Sequence, residues 1–190
     1  RTLREAGVDL PIAVIPAGTA NDFAVALGMS KLALRACRQI LTGVERRVDL
    51  GRVGDRYFVN VFSFGLFTNV SQRTPTKLKN ILGKAAYLME GVSEIANLHR
   101  MHLSIESDGG SYEGPAIITL VFNGRTAGQF PLARMSRLDD GVFDVLVLKG
   151  DTPFATADAA MRYLSGLSSA YPPSDVVHLR CGRLHIATRE

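Results

Sequence analysis

Tryptophan is absent from this 190-residue chain, and cysteine occurs twice, as Cys37 and Cys181. The first absence excludes nothing by itself. The two thiols lie far apart without metal-ligand spacing, so they read as buried free thiols in a reducing compartment. No apolar run approaches the length of a membrane helix, although 46% of the residues are hydrophobic, ample for a packed core. The amino end, Arg1-Thr2-Leu3-Arg4-Glu5, is polar and has no apolar segment of the signal-peptide kind. Long basic runs and basic–aromatic interleaving are also missing, which argues against a nucleic-acid module despite a net charge of +4. Arginine supplies most of that charge, at Arg46, Arg47, Arg52, Arg56, Arg125, Arg134 and Arg137. The excess suits anionic lipid surfaces and nucleotides alike, but a soluble surface with surplus arginine is the simplest account of the charge by itself.

What is present is organised around Leu10 to Met29, LPIAVIPAGTANDFAVALGM. Ile12 to Ile15 is a short apolar run with the pattern of a buried strand, ended by Pro16, which has no N–H to give a neighbour. Ala17 to Ala20 are small residues of a tight loop. Asn21 and Asp22 are residues that cap helix N–H groups, Phe23, Ala26 and Leu27 share one helical face, and Gly28 stops the helix. A small-residue loop at the carboxyl end of a strand lets a ligand approach the backbone, and the helix start favours an anion such as phosphate. An acid at that point, Asp22, suits a magnesium ion bridging to phosphate. A plain strand–turn–helix with Asp22 as a cap is the commoner meaning of such a pattern.

The remaining chain alternates between helical and strand patterns. Ser30 to Thr42 predicts a helix with a broad apolar face, capped at Ser30 and closed by Gly43. Val44 to Val53 and Arg56 to Gly65 predict two strands joined by a hairpin at Gly54-Asp55. Asn60 lies on an apolar face of the second, where a structural hydrogen bond is the usual role and a binding role the rarer one. Ser71 to Lys79 predicts a loop, and Leu78 to Leu98 a long amphipathic helix packed on a sheet. His102 to Glu106 and Gly114 to Phe122 predict paired strands, the latter central. Phe143 to Lys149 predicts a strand, Thr152 to Leu167 a helix, and Val176 to Thr188 one or two strands broken near Cys181-Gly182. The expected fold is therefore α/β followed by mostly antiparallel β: the end of a Rossmann-like domain over residues 1–43, then a β-sandwich-like domain with helices over 44–190. A lone parallel strand near the start lacks neighbours, so the expectation is an excerpt of a longer protein.

Gly18-Thr19-Ala20-Asn21-Asp22-Phe23-Ala24, directly after an apolar strand and Pro16, resembles the nucleotide-site motif of the diacylglycerol kinase catalytic family. Asn123-Gly124 and Asp140-Gly141 fit the same resemblance: an Asn-Gly after a central strand, a glycine-rich bend, then an Asp-Gly before the next strand. Alone, Asp139-Asp140-Gly141 reads as a hairpin tip. The resemblance spans nearly the whole chain in order. It departs at Val25 and Arg134, where the family often has Arg and Pro.

The resemblance implies a lipid kinase that transfers the γ-phosphoryl of ATP to a lipid hydroxyl, most readily that of diacylglycerol, in bacterial phospholipid metabolism. It places Gly18, Thr19, Asn21 and Asp22 at the ATP phosphates, with Asp22 also at the catalytic magnesium. It implies a structural magnesium held by Asp140 and the carbonyls of Arg137 and Val142. The family's Gly-Gly-Asp-Gly-Thr phosphate loop is expected before residue 1 and its general-base Glu beyond Glu190, so the segment alone is expected to be inactive. The implied setting is cytoplasmic and peripheral to the membrane, with a lipid substrate, no nucleic acid, and a second copy able to pair on an open edge strand as a homodimer. An NAD kinase-like enzyme and a non-catalytic lipid-binding or regulatory domain are the alternatives.

Overall fold

The computed structural model describes residues 3, 6–65, 100–150 and 174–189. The predicted loop at 71–79 and the helices at 78–98 and 152–167 lie outside them. The chain separates into two compact units, one of residues 1–61 and 122–142, the other of 62–121 and 143–190.

In the first unit, two helices follow the small-residue loop. Helix α1 is short, Asp22–Ala26. Gly28, at φ 75°, ends it: its N–H bonds the carbonyl of Val25, and the N–H of Met29 that of Ala24. Those two bonds form the Schellman arrangement, which a left-handed glycine makes cheaply. Helix α2 is Ala33–Thr42. It starts three residues later than predicted, because the Ser30 hydroxyl accepts the Leu32 N–H in a turn instead of capping the helix. The Gln39 side chain closes that turn, accepting from the Ser30 N–H and donating to the Gly28 carbonyl. The predicted apolar face of α2 is not a buried face: Ala36 is buried, whereas Leu34 and Leu41 are more than four-fifths exposed. Cys37 is likewise exposed, against expectation, while Cys181 is buried and its burial pushes the thiol pKa up.

Two further expectations fail here. Ile12 to Ile15 forms no strand with any described residue, and Ile12 is 72% exposed. Extended backbone needs a partner ladder to count as sheet, so no Rossmann-like sheet forms among the described residues. Of the predicted strand at 44–53, β1, Gly51–Val53, forms, paired antiparallel with β2, Arg56–Phe58, across the Gly54-Asp55 turn. The predicted strand at 56–65 breaks at Val59-Asn60, whose carbonyls accept hydrogen bonds from Asn123 and Gly124, and resumes as β3, Val61–Gly65.

The second unit is a pair of sheets. A three-stranded sheet has the order β5-β4-β9, all antiparallel, from β4 Met101–Ser107, β5 Gly110–Ala116 and β9 Leu184–Arg189. Leu103 and Ile105 are buried on one face of β4, while His102 and Glu106 are exposed on the other, the alternation of a half-covered sheet. The other sheet has the order β3-β6-β7-β8, with β6 Ile118–Phe122, β7 Phe143–Leu148 and β8 Val176–Cys181. The predicted strand at 114–122 is thus two strands, and the chain changes sheet at Ile117. Asp144 to Val147 of β7 are all buried. Asp144 is an acid in that core, bonded to His178 Nε2 at 2.6 Å and beside Arg180 Nε at 3.4 Å. A buried carboxylate needs such partners.

The sheets meet at their turns. Asp108, in the β4–β5 turn, accepts the N–H groups of Gly182 and Arg183 from the β8–β9 turn. Gly109 lies so close that an added Cβ would overlap the Arg180 carbonyl. Gly109→Ala therefore forces two backbones apart, and urea unfolding should show a loss of about 1–3 kcal/mol with the m-value unchanged.

Candidate active site

The site lies within the first unit, and its centre is the Asp22 carboxylate. Residues 127–130 form a two-residue hairpin turn, with Ala127 and Phe130 exchanging both backbone hydrogen bonds at 3.0 Å. Its central residues, Gly128 at φ 59° and Gln129 at φ 70°, are both left-handed, as a type I′ turn requires. Such a turn leaves its two central N–H groups unused. Here they donate to Asp22, Gly128 to Oδ2 and Gln129 to Oδ1, each at 2.8 Å. The Thr126 hydroxyl adds a third bond, to Oδ1 at 2.7 Å. An ionised carboxylate offers about four lone-pair positions, so a position remains on the oxygen with one donor.

The loop before α1 is set by Asn21, although not as a cap. Asn21 is left-handed at φ 56° and makes no capping bond to the helix. Its side chain turns back on Gly18 instead, accepting the Gly18 N–H at 2.7 Å and donating to the Gly18 carbonyl at 2.6 Å. Asn tolerates this backbone, and its amide can mimic a peptide group. The role the structure gives Asn21 is a structural one: it shapes the loop that exposes Gly18 and Thr19. Gln129 reaches the same loop, its Nε2 donating to the Thr19 carbonyl at 2.9 Å.

The second stretch is built on a polar spine. Asn123, fully buried, donates through Nδ2 to the carbonyls of Asp49 and Val59, both at 2.9 Å. Asn60 donates to the Thr126 carbonyl, which fixes the start of the segment that holds Asp22. Gly124 is required beside it, since an added Cβ would overlap Asn60 Oδ1. Arg125 closes the loop by donating to the Ser136 carbonyl at 2.7 Å. Asp49 fixes the turn at 138–141 from two sides: its N–H donates to the Leu138 carbonyl at 2.6 Å, and its carboxylate accepts the Gly141 N–H at 2.7 Å. Asp139 pairs with Arg46 at 2.7 Å and with Arg137 at 3.3 Å. Those bonds, first from Arg46 and then from Arg137, hold its carboxyl below the ordinary value of 3.8.

The structure thus brings Asp22 and the Gly18–Asn21 loop together, and separately gathers Arg137, Asp140 and Val142 around one turn. Asp140 is half-buried there, with its Oδ1 facing the Val142 N–H at 3.3 Å. Among the described residues, no three His, Cys, Asp or Glu side chains gather to hold a metal. A hard cation such as magnesium takes oxygen ligands, and of the residues named for it Asp22 and Asp140 carry carboxylates. The sequence pattern does not single out Asp49, Thr126 or Gln129, whereas Asn123 is among the residues it marks. The small-residue run Thr126-Ala127-Gly128 before an aromatic was the available signal for the turn.

Two family signatures match the chain: the diacylglycerol kinase catalytic domain over residues 1–53, and the YegS C-terminal NAD kinase beta sandwich-like domain over residues 60–184. Over residues 60–184 the chain belongs to the family of the YegS C-terminal NAD kinase beta sandwich-like domain. It is similar to the diacylglycerol kinase of Bacillus subtilis (strain 168), at 39% identity over 73% of this chain and 46% of that protein. It is also similar to that of Staphylococcus aureus (strain Newman), at 38% over 73% and 44%. The chain spans about half the length of these relatives. Among solved structures, a Bacillus anthracis (strain Sterne) protein assigned to the diacylglycerol kinases superposes with a TM-score of 0.79, at 29% identity, over 96% of this chain and 60% of its own. A second diacylglycerol kinase structure from that strain gives 0.71 at 26%, over 96% and 59%.

Two outcomes follow from the site geometry. Asp22→Asn keeps the shape but turns an amide donor toward one of the turn's N–H groups, so denaturant unfolding should show a loss of about 1–3 kcal/mol. Asp139 has a depressed folded pKa, so its contribution to stability is present above its unfolded value and disappears as pH falls through the folded one. Asp139→Asn should therefore lower the melting temperature at neutral pH, with the difference closing as pH falls below the ordinary carboxyl value of 3.8 and on through the lower folded one, and shrinking in about 1 M salt.

Proposed function

We propose that this chain is part of an ATP-dependent lipid kinase, transferring the γ-phosphoryl of ATP to the hydroxyl of a lipid, diacylglycerol first among them. The observation that carries this reading is the Asp22 carboxylate, held by three donors from one turn at the mouth of the exposed Gly18–Asn21 loop. Phosphoryl transfer asks a protein chiefly to position groups and neutralise charge. Gly18 and Thr19 contact the nucleotide phosphates, with Asn21 setting the loop and contributing its amide edge. Asp22 would hold the catalytic magnesium, directly or through water, and the bonds to the turn keep the carboxylate aimed. Magnesium, when bound, supplies charge neutralisation on the phosphate oxygens. Asp140 with the carbonyls of Arg137 and Val142 holds a second, structural magnesium. The general base and the phosphate loop of the family belong to no residue assigned here.

The partners proposed are a lipid substrate and the surface of the membrane that contains it, with no nucleic acid, and a second copy of the chain as a homodimer. The site of action is the cytoplasmic face of that membrane. Among the described residues, no helix is long and apolar enough to cross a membrane. The match to an NAD kinase-like sandwich makes a soluble dinucleotide the second acceptor to examine.

The deciding measurement is transfer of labelled phosphate from ATP, by the full-length gene product, to diacylglycerol, a sphingoid base, ceramide, a polyprenol and NAD. Diacylglycerol should be labelled, and Asp22→Ala should lower the rate by about a hundredfold or more while remaining folded by circular dichroism. Labelling of NAD alone would replace the lipid reading. A folded protein that binds lipid and transfers nothing would leave a regulatory lipid-binding domain.

A further inference from the structure

Gln129 occupies a backbone conformation that its side chain makes costly. Among the described residues, Asn21 and Gln129 are the non-glycine residues at positive φ. Asn is at home there, whereas glutamine has no local hydrogen bond that would favour it. Glycine would take φ 70° freely, and the second central position of a type I′ turn favours it. The backbone N–H of Gln129 that serves Asp22 would also survive a change to glycine. The turn and the Asp22 clamp therefore do not need the glutamine side chain.

What the side chain adds is one bond across the site. Its Nε2 donates to the carbonyl of Thr19 at 2.9 Å, over a sequence separation of 110 residues. Thr19 is exposed and lies in the loop whose other fixed point is the Asn21–Gly18 amide pair. The Thr19 carbonyl shares its peptide plane with the Ala20 N–H, and the Gly18 carbonyl, held by Asn21, shares its plane with the Thr19 N–H, so the two bonds together set the directions of both N–H groups. Preorganised donors are worth more to an anionic ligand than donors that must be ordered on binding. We propose that Gln129 is a positioning residue, latching the Thr19 carbonyl so that the Gly18–Asn21 loop is preset for the phosphates of a nucleotide. This rests on the kinase reading above and deepens it by assigning a residue to nucleotide affinity.

The test uses the full-length gene product, with steady-state kinetics in ATP and in lipid, calorimetric titration with a non-hydrolysable ATP analogue, and melting temperatures. Gln129→Gly removes the latch and relieves the backbone. It should raise KM for ATP and Kd for the analogue about three- to tenfold, the worth of one hydrogen bond. Its kcat and its KM for lipid should stay within about twofold. Gln129→Glu keeps the length but replaces the donor with a carboxylate, and should raise the same two constants further, with the excess falling as salt is added. Unchanged ATP constants in Gln129→Gly, beside an active wild type, would overturn the proposal. So would a parallel rise of both KM values with a lowered melting temperature, which marks a merely structural contact. Should Gln129→Gly fail to fold, Gln129→Glu decides alone by the same split between ATP and lipid. A wild-type protein that binds no analogue and transfers no phosphate would remove the kinase reading itself, and is told apart by being a property of the wild type.

Discussion

A carboxylate that accepts three hydrogen bonds from one turn is the constraint on which the first unit depends. Asp22 starts helix α1, and the donors to it come from residues 126–129. Each side needs the other. A type I′ turn presents two N–H groups that the turn itself does not use, and an anion satisfies both at once. The carboxylate, in turn, would face the loop carbonyls unaccompanied without those donors. Charge-assisted bonds are about twice as strong as neutral ones, so this pairing outweighs the neutral turn bonds around it. Two segments more than a hundred residues apart thus become one structure.

Support for the turn comes from amides, not from apolar packing. Asn123 and Asn60 are placed where a strand would otherwise run on, and their donors go to main-chain carbonyls of Asp49, Val59 and Thr126. An amide in such a position costs free energy to bury and returns it only when the partners are fixed. That requirement explains the break between β2 and β3. The carbonyl of Asn60 accepts from Asn123 and Gly124, so those groups are unavailable to a continuous ladder. It also explains Gly124, whose missing side chain lets the Asn60 amide lie against the backbone.

Local features were legible in the sequence because their causes are local. The Gly54-Asp55 hairpin, the Gly28 helix stop, strand β7 and the break between β8 and β9 each follow from a few adjacent residues. The motif residues from Gly18 to Asp22 were found for the same reason. The partners of Asp22 were not, since nothing in Thr126-Ala127-Gly128-Gln129 names an aspartate 104 residues earlier. Asn21 illustrates a different failure. Its type predicts a cap, but the same short amide equally well closes on the backbone three residues back, and left-handed φ selects the second use. Strand patterns erred where a pattern counts apolar residues without knowing their neighbours. Ile12 to Ile15 is apolar enough for a strand, yet pairs with no described residue, and on the apolar side of α2 Leu34 and Leu41 stay exposed among the described residues.

The arrangement carries a consequence for chemistry on phosphates. A carboxylate beside a polyphosphate repels it unless a cation stands between them, so the acid has value only while its charge is directed at that cation. Three donors on Asp22 fix the direction, and a free lone-pair position on Oδ2 leaves somewhere for the charge to act. The anion-facing part of the site is built differently. Gly18 and Thr19 belong to a loop with no helix of useful length behind it, since α1 has five residues. A short helix contributes little dipole, so the loop must present individual N–H and hydroxyl groups in fixed directions. Two side-chain amides do that fixing, Asn21 from within the loop and Gln129 from across the site. One turn thus supports both halves of the proposed site: its backbone holds the acid and its side chain holds the loop.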